Sequence, residues 1–253
     1  MLMMVLTKRK LKKIISVILA IMIIIAGSVV LLSKNTQEVF NLMVGAQLPY
    51  ERGDKKDSGY VALTCNIDLG WETEYVDKIL AALEKENTKI TFTVTGKWAE
   101  KNKDELLKIQ AAGHEIGNHG YQHLDYANLS YEDNIKQIST SQKIIDDIIG
   151  QETKFFQAPA GAFGPDTVKA AKSLGYIPFK WDADTIDWKY RNQPQVIVDR
   201  IKGKDLKSGS IILMHPTAAT SEAIDDIINI VRDKGLNAGR LSDVFNTGDN
   251  TGK

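Results

Sequence analysis

The fold is decided by residues 60–95, which read YVALTCNIDLGWETEYVDKILAALEKENTKITFTVT. An apolar strand opens this stretch, and a second strand rich in β-branched residues closes it. Between the strands, apolar residues recur at helical spacing: Val76, Ile79, Leu80 and Leu83. The alternation continues for about 190 residues, which is typical of a parallel α/β sheet or barrel. About seven strand–helix units favour a distorted (β/α) barrel.

The pattern also sets the expected elements and the domain limits. The predicted strands are Tyr60–Asn66, Lys89–Thr95, His114–Gly117, Lys154–Ala158, Ile177–Trp181 and Ser210–Met214. The predicted helices are Thr73–Asn87, Trp98–Ala112, Tyr131–Ile149, Asp166–Leu174, Pro194–Ile201 and Ser221–Lys234. The domain is expected to span residues 59–247, and residues 248–253 form a tail.

The first part of the chain predicts a membrane anchor. Ile14 to Leu32 is an uncharged apolar run of 19 residues, close to the roughly 20 that cross a bilayer as a helix. Five basic residues precede this run, so residues 1–13 are expected in the cytoplasm and the domain outside the membrane. Residues 33–58 are polar and are predicted to be a linker. A cleaved signal peptide is the alternative interpretation.

Charge and motifs exclude two classes of ligand. The chain has 32 basic and 32 acidic residues, but five basic residues lie in the first 13. The remainder therefore has 27 basic against 32 acidic residues, which argues against nucleic acid as a partner. No glycine-rich phosphate loop follows a predicted strand, so nucleotide binding is not expected either. The single cysteine, Cys65, lies among apolar residues and is interpreted as buried and inert.

Polar residues follow five of the predicted strands. Because functional groups gather at the carboxyl ends of parallel strands, these residues are expected to share one rim. They are Asn66 and Asp68, His119 and His123, Gln157 with Pro159 and Gly161, Asp184 with Asp187 and Trp188, and His215.

His119 and His123 form the clearest candidate metal site. Their spacing of four places both imidazoles on one face of a helix or helical turn, where they can reach one ion. A zinc site of this kind usually needs a third protein ligand, and Asp68 is the nearest upstream carboxylate. The alternative is two solvated surface histidines. The fourth histidine, His114, is interpreted as a core or supporting residue.

Two further groups have both a functional and a structural interpretation. His215 follows a buried strand and is a candidate general acid near neutral pH, or a hydrogen-bonded core histidine. Asp184, Asp187 and Trp188 suggest a groove wall, with Trp188 stacking on a sugar face and an acid tuning a neighbouring pKa. An ordinary loop with a hydrophobic plug is the other interpretation.

Taken in order, these motifs resemble the polysaccharide deacetylase family, also called carbohydrate esterase family 4 or the NodB-homology domain. The resemblance covers roughly residues 59–247. His119 to His123 are similar to the family's H-(S/T)-x-x-H motif, Asp184 to Trp188 to D-x-x-D-W, and Leu213 to His215 to L-x-H. Gln157 to Gly161 partly match R-x-P-x-G. The branch resembled is that of sporulation-associated and cell-wall deacetylases.

The resemblance implies a distorted barrel that hydrolyses an N-acetyl group from a GlcNAc or MurNAc polymer. It implies a divalent metal, zinc with cobalt or manganese as alternatives, bound by His119 and His123. His215 would protonate the leaving amine and Asp187 would orient it. Ala160 N–H would hold the oxyanion and Leu213 would line the acetyl-methyl pocket. The other implied substrate-binding residues are Trp188, Pro159, Gly161, Asn66 and Asp184.

The first motif departs from the family pattern T-F-D-D-G. Thr64 to Asp68 place Asn66 at the base position and Ile67 at the ligand position, and Gln157 replaces the arginine that pairs with the base. Asn66 and Asp68 point the same way on a strand, so Asp68 is predicted to serve as ligand or base.

Two functions follow from these matches and departures. The first is a metal-dependent deacetylase of peptidoglycan or a related polysaccharide that uses Asp68. The second is a catalytically inactive descendant that binds glycan at the cell surface.

Overall fold

The computed structural model describes residues 48–55 and 57–247. The expected basic segment 1–13, the anchor 14–32, the linker residues 33–47 and the tail 248–253 lie outside these ranges, so those assignments stay predictions. Within the described residues, no helix has the length and apolar character needed to cross a bilayer.

In the described part of the chain, eight strands form a single sheet in which every pairing is parallel. Their order is β5-β4-β3-β2-β1-β7-β6, and β8 pairs with the start of β1. The strands are β1 (Tyr60–Ile67), β2 (Thr91–Val94), β3 (Glu115–Asn118), β4 (Phe155–Phe156), β5 (Ile177–Pro178), β6 (Ala183–Asp184), β7 (Ile211–Met214) and β8 (Asn237–Gly239). The ladder is open between β5 and β6, so the predicted parallel barrel of about seven strands is confirmed in a form with one open seam.

Helices connect most of the strands and cover the sheet. They are α1 (Thr73–Lys85), α2 (Gly96–Lys101), α3 (Lys103–Ala111), α4 (Tyr131–Ile149), α5 (Pro165–Ser173), α6 (Pro194–Lys202), α7 (Ala218–Asp233) and α8 (Leu241–Val244). All six predicted helices are present, but the one expected over 98–112 is two helices. Asn102 breaks it, because its backbone leaves the helical region, with φ −127° and ψ 46°. Its side-chain amide donates to the Trp98 carbonyl at 2.9 Å and so caps the end of α2.

The predicted strand at 177–181 is shorter than expected, and β6 and β8 were not predicted. Pro178 has no N–H to donate to a ladder, and the next residues pair with the segment that precedes the domain. Tyr50 N–H donates to the Pro178 carbonyl at 2.9 Å, and Lys180 N–H donates to the Tyr50 carbonyl at 2.7 Å. This end of the predicted linker is therefore hydrogen-bonded to the edge of β5.

The hydrophobic core lies between the sheet and the helices, and it buries alternate side chains of β1. Val61, Leu63, Cys65 and Ile67 are fully buried in one hydrophobic cluster with residues from β2, β7 and the covering helices. Burial, followed by the charge of Asp187, raises the pKa of the Cys65 thiol well above its ordinary value, so the thiolate that reacts is disfavoured. Cys65 is a buried residue, as predicted.

Candidate active site

The predicted polar residues meet at the carboxyl ends of the strands. Most of them line a cavity of about 380 Å³ together with three tryptophans, whereas Gln157 and Asp187 are fully buried and do not line it. The lining residues are Asn66, Asp68, Trp71, His119, His123, Ala160, Trp181, Asp184, Trp188, Leu213 and His215. The expectation that separate strand ends supply one rim is therefore confirmed.

His119 is the innermost histidine of the cavity. It directly follows β3 and is only 2% exposed. Its Nδ1–H donates to the Gln157 carbonyl at 2.8 Å, which leaves Nε2 as the free ligand atom. Burial, followed by the charge of His123, lowers the pKa of His119 to about 3. The imidazole is therefore neutral near pH 7, the form that binds a metal.

The pair of histidines does not lie on a helix, which corrects the expected geometry. Gly120 adopts φ +76° immediately after His119, and a Cβ at this position would lie 1.8 Å from Tyr126 Oη. The left-handed residue turns the chain into a loop, and His123 lies in that loop rather than one helical turn along. The two imidazole centroids are nevertheless 6.0 Å apart.

Asp68 approaches the same pair from the end of β1. Its Oδ2 lies 3.7 Å from His123 Nε2, and its Oδ1 accepts the Gly70 N–H at 2.6 Å. One aspartate and two imidazoles suit a zinc ion in donor type. However, no group of three or more such side chains within 48–55 and 57–247 is close enough together to form a complete metal cage.

The three positions that depart from the family pattern are all buried. Asn66 is 4% exposed, and its Oδ1 accepts a hydrogen bond from the Thr93 hydroxyl. Ile67 packs in the hydrophobic core, so its position supplies no metal ligand. Asp68 lines the cavity, as the alternation of side chains along a strand predicts. Gln157 is fully buried, and neither atom of its side-chain amide has a hydrogen-bond partner among the described residues.

His215 is held by a buried carboxylate. Its Nδ1–H donates to Asp187 Oδ1 at 2.8 Å, and its backbone N–H donates to Asp187 Oδ2 at 2.6 Å. The Thr220 hydroxyl donates to the same Oδ2 at 2.6 Å, and Asp187 is fully buried. This network fixes the proton on Nδ1 of His215, so Nε2 is the ring nitrogen that stays outside the network. His215 also lines the cavity. Such an arrangement suits a histidine that handles a proton.

Two tight turns carry the remaining wall. Ala160 and Ile186 have φ values of +53° and +54°, a conformation that costs free energy in residues other than glycine and clusters at functional sites. Asp184 Oδ1 accepts the Ile186 N–H at 2.7 Å and so holds the second turn, in addition to lining the cavity. That turn leads into Asp187, which is buried, and Trp188, which is half exposed at the rim.

Pro159 and Gly161 support the wall and do not line the cavity. Pro159 is buried at the start of a short 3₁₀ turn. Gly161 has φ +65°, and a Cβ there would lie 2.7 Å from the Trp181 ring. Gly161 therefore lets Trp181 approach the turn that carries Ala160.

Sequence reasoning missed Trp71 and Trp181 as cavity residues. Trp181 ends a predicted strand and Trp71 lies in the loop after β1, so their positions near strand ends were an available signal. Trp71 also stacks on His215, with ring centroids 4.7 Å apart and planes inclined by 27°. A contact between residues so distant in the chain has no signature in one sequence.

Comparisons with known proteins agree with the fold and with the motifs. The sequence model described as polysaccharide deacetylase matches residues 53–179. An uncharacterised Bacillus subtilis protein, YlxY, is 35% identical over 71% of this chain, and the match spans 56% of that relative's length. A peptidoglycan-N-acetylglucosamine deacetylase of Bacillus cereus is 31% identical over 79% of this chain and 70% of its own length.

A solved structure adds a family member that is described as a pseudoenzyme. It is a pseudoenzyme of carbohydrate esterase family 4 from Bacillus anthracis, 34% identical, with a TM-score of 0.72 over 78% of this chain and 69% of its own. A mutant of the same protein is described as having restored enzymatic activity. The parallel barrel, the ordered motifs and these matches lead to one conclusion: this chain belongs to the polysaccharide deacetylase family.

Proposed function

We propose that this chain is a metal-dependent hydrolase that removes N-acetyl groups from a cell-wall or related polysaccharide of GlcNAc or MurNAc. The observation that carries the proposal is the placement of the Asp187-held His215 on the same cavity as His119 and His123. The Bacillus cereus relative, named as a peptidoglycan-N-acetylglucosamine deacetylase, supports the class of substrate.

His119, His123 and Asp68 are the residues that would hold the divalent ion, zinc in the first place, with cobalt or manganese as alternatives. The neutral imidazole of His119, with its Nδ1 already bonded, supports this assignment. When bound, such an ion polarises the amide carbonyl and lowers the pKa of a bound water.

The remaining roles fall to the residues around the cavity. His215 donates a proton from Nε2 to the leaving amine, and Asp187 holds Nδ1 and stabilises the imidazolium. Ala160 N–H lies on the exposed turn that would face the oxyanion. Leu213 lines the cavity and suits the acetyl methyl group, and Trp188 offers an aromatic face to a sugar ring.

Asp68 must compensate for the loss of the usual carboxylate at position 66. An amide such as that of Asn66 accepts no proton near neutral pH, and its Oδ1 is already bonded to Thr93. Asp68 Oδ2 lies 3.7 Å from His123 Nε2, and we assign it to the site as ligand or base.

Acetate release from chito-oligosaccharide or peptidoglycan, with Zn²⁺ or Co²⁺ added, tests this function. We expect release by the natural chain and none by the Asp68→Ala, His119→Ala double variant. Equal rates for the two chains would refute the proposal. The Asn66→Asp, Gln157→Arg variant provides the matched comparison, because it restores the family's usual pair. Activity in that variant alone would assign the natural chain to the second function below.

The second candidate is glycan binding at the cell surface without turnover. It is motivated by Asn66, by the buried amide of Gln157, which has no hydrogen-bond partner within 48–55 and 57–247, and by the existence of a similar pseudoenzyme in Bacillus anthracis. Calorimetry with peptidoglycan fragments, with and without metal, tests it. We expect binding that is weakened in Trp188→Ala, and no binding under any metal condition would exclude this function.

We further propose that the domain is anchored in the cell membrane by residues 14–32 and lies on its outer side. The uncharged apolar run and the five preceding basic residues support this orientation. Protease treatment of intact protoplasts tests it: the domain should be digested, and full protection would contradict the proposed location.

A further inference from the structure

Trp71 contacts both the candidate general acid and a cation. The indole stacks on the His215 imidazole with centroids 4.7 Å apart. The Arg191 guanidinium carbon lies 4.4 Å from the Trp71 ring centroid, within the range of a cation–π contact. Neither contact involves the hydrogen bonds that His215 makes to Asp187.

The two partners of Trp71 line different cavities. Trp71 lines the cavity of about 380 Å³ that contains His215 but not Arg191. It also lines a smaller cavity of about 190 Å³ that contains Arg191 but not His215. The indole therefore borders both spaces, one shared with the imidazole and the other with the guanidinium.

Arg191 is itself held by the turn that carries Trp188 and by the start of α7. Its Nε–H donates to the Trp188 carbonyl at 3.4 Å, and its own carbonyl accepts the Ala219 N–H at 2.7 Å. A cation fixed at both points restrains the indole that it covers. The contact chain Arg191–Trp71–His215 thus joins three separate loops at the site.

The turn that carries Trp71 also carries Asp68. Asp68 Oδ1 accepts the Gly70 N–H at 2.6 Å, and the Asp68 carbonyl accepts the Trp71 N–H at 3.3 Å. These two bonds form one compact turn from 68 to 71. The same turn of four residues therefore positions both the Asp68 carboxylate near His123 and the Trp71 indole against His215.

We infer that Trp71 is a positioning residue for His215, an inference that rests on the proposed deacetylase function. Asp187 fixes the tautomer and the direction of Nδ1, but one hydrogen bond still allows the imidazole plane to swing. The stacked indole removes that freedom and leaves Nε2 at the edge of the ring, facing the cavity. The cation–π contact with Arg191 keeps the indole in place.

Proton NMR of the metal-free protein tests the stack without requiring turnover. The chain has only four histidines, so the His215 ring protons can be assigned by their loss in His215→Gln. A stacked indole shifts these protons upfield. We expect Trp71→Leu to move them downfield and Trp71→Phe to keep most of the shift. Leu69→Ala, an exposed neighbour in the same turn, should leave them unchanged. Unmoved signals in Trp71→Leu would overturn the inference.

Kinetics then test whether the stack positions the acid. In whichever chain releases acetate, natural or Asn66→Asp, Gln157→Arg, we expect Trp71→Leu to lower kcat roughly tenfold at unchanged KM. This is a part of the roughly 10²- to 10⁴-fold that acid–base catalysis supplies. Trp71→Phe should recover most of the rate. A rise in KM at constant kcat would overturn the positioning role and make Trp71 a sugar-binding wall. If neither chain releases acetate, the proposed function fails, and the NMR result still decides whether Trp71 orients the ring.

Discussion

Replacing His114 with asparagine should remove a pH-dependent part of the stability. His114 is 4% exposed, and its Nδ1 accepts the Ile90 N–H at 3.2 Å, which requires an unprotonated nitrogen. Burial, followed by the charge of Lys89, lowers the pKa of His114 from 6.5 to about 4. Because the unfolded chain takes up the proton first, stability is fully present above pH 6.5 and falls as the pH drops toward 4.

The size of the effect follows from those two pKa values. Each pH unit between them costs about 1.4 kcal/mol, so the natural chain should lose about 2 kcal/mol through His114 between roughly pH 7.5 and pH 5. Asparagine places an oxygen near the position of Nδ1 and does not titrate. Any packing loss in His114→Asn is independent of pH and cancels in the comparison.

Urea unfolding of the two chains at both pH values measures this difference. The free energy of unfolding of the natural chain should fall by about 2 kcal/mol more than that of His114→Asn. Parallel pH dependences of the two chains would refute the assignment of a neutral, hydrogen-bonded imidazole at position 114.

Three other changes test individual features of the site. Asp68→Asn keeps an oxygen for the Gly70 N–H but removes the charge, so calorimetry should show zinc affinity at least about tenfold weaker with the unfolding midpoint unchanged. Gln157→Met removes a buried amide that has no partner in the described part of the chain and should stabilise the fold by about 1 kcal/mol in urea unfolding; a loss of stability would mean that the amide is satisfied. Gly161→Ala forces a Cβ to within 2.7 Å of the Trp181 ring at φ +65°, so it should destabilise the fold by about 1–2 kcal/mol. Displacement of Trp181 should also weaken glycan binding, and unchanged binding would contradict its place in the cavity.

The fold could be predicted from the sequence because the spacing of apolar residues is unambiguous in the long helices and strands. Helix α4 has a serine before its first residue and Gly150 after its last, and both ends lie where these residues predict them. The short strands were harder to predict. Strands β4, β5 and β6 have only two residues each, too few to show an alternation of apolar and polar residues. Strand β8 was hard to predict because its three residues include a glycine, which is rare in strands.

The candidate site was predicted in its members but not in its geometry. Strand-end positions placed Asn66, Asp68 and His215 together, since parallel strands present their carboxyl ends at one edge. The helical spacing of His119 and His123 was misleading, because Gly120 turns the backbone between them. The stack of Trp71 on His215 joins the ends of β1 and β7, and only the register of those strands brings the two residues into contact.

The pairing of Tyr50 with β5 also bears on where the chain can be cut. A strand whose outer N–H and C=O groups lack partners is a template for pairing with another molecule. Tyr50 occupies that position beside Pro178 and Lys180. The family match begins only at residue 53, so a truncated chain that starts there would expose the edge of β5. Such a chain should self-associate, whereas one beginning at Leu48 keeps the edge covered and should stay monodisperse at the same concentration.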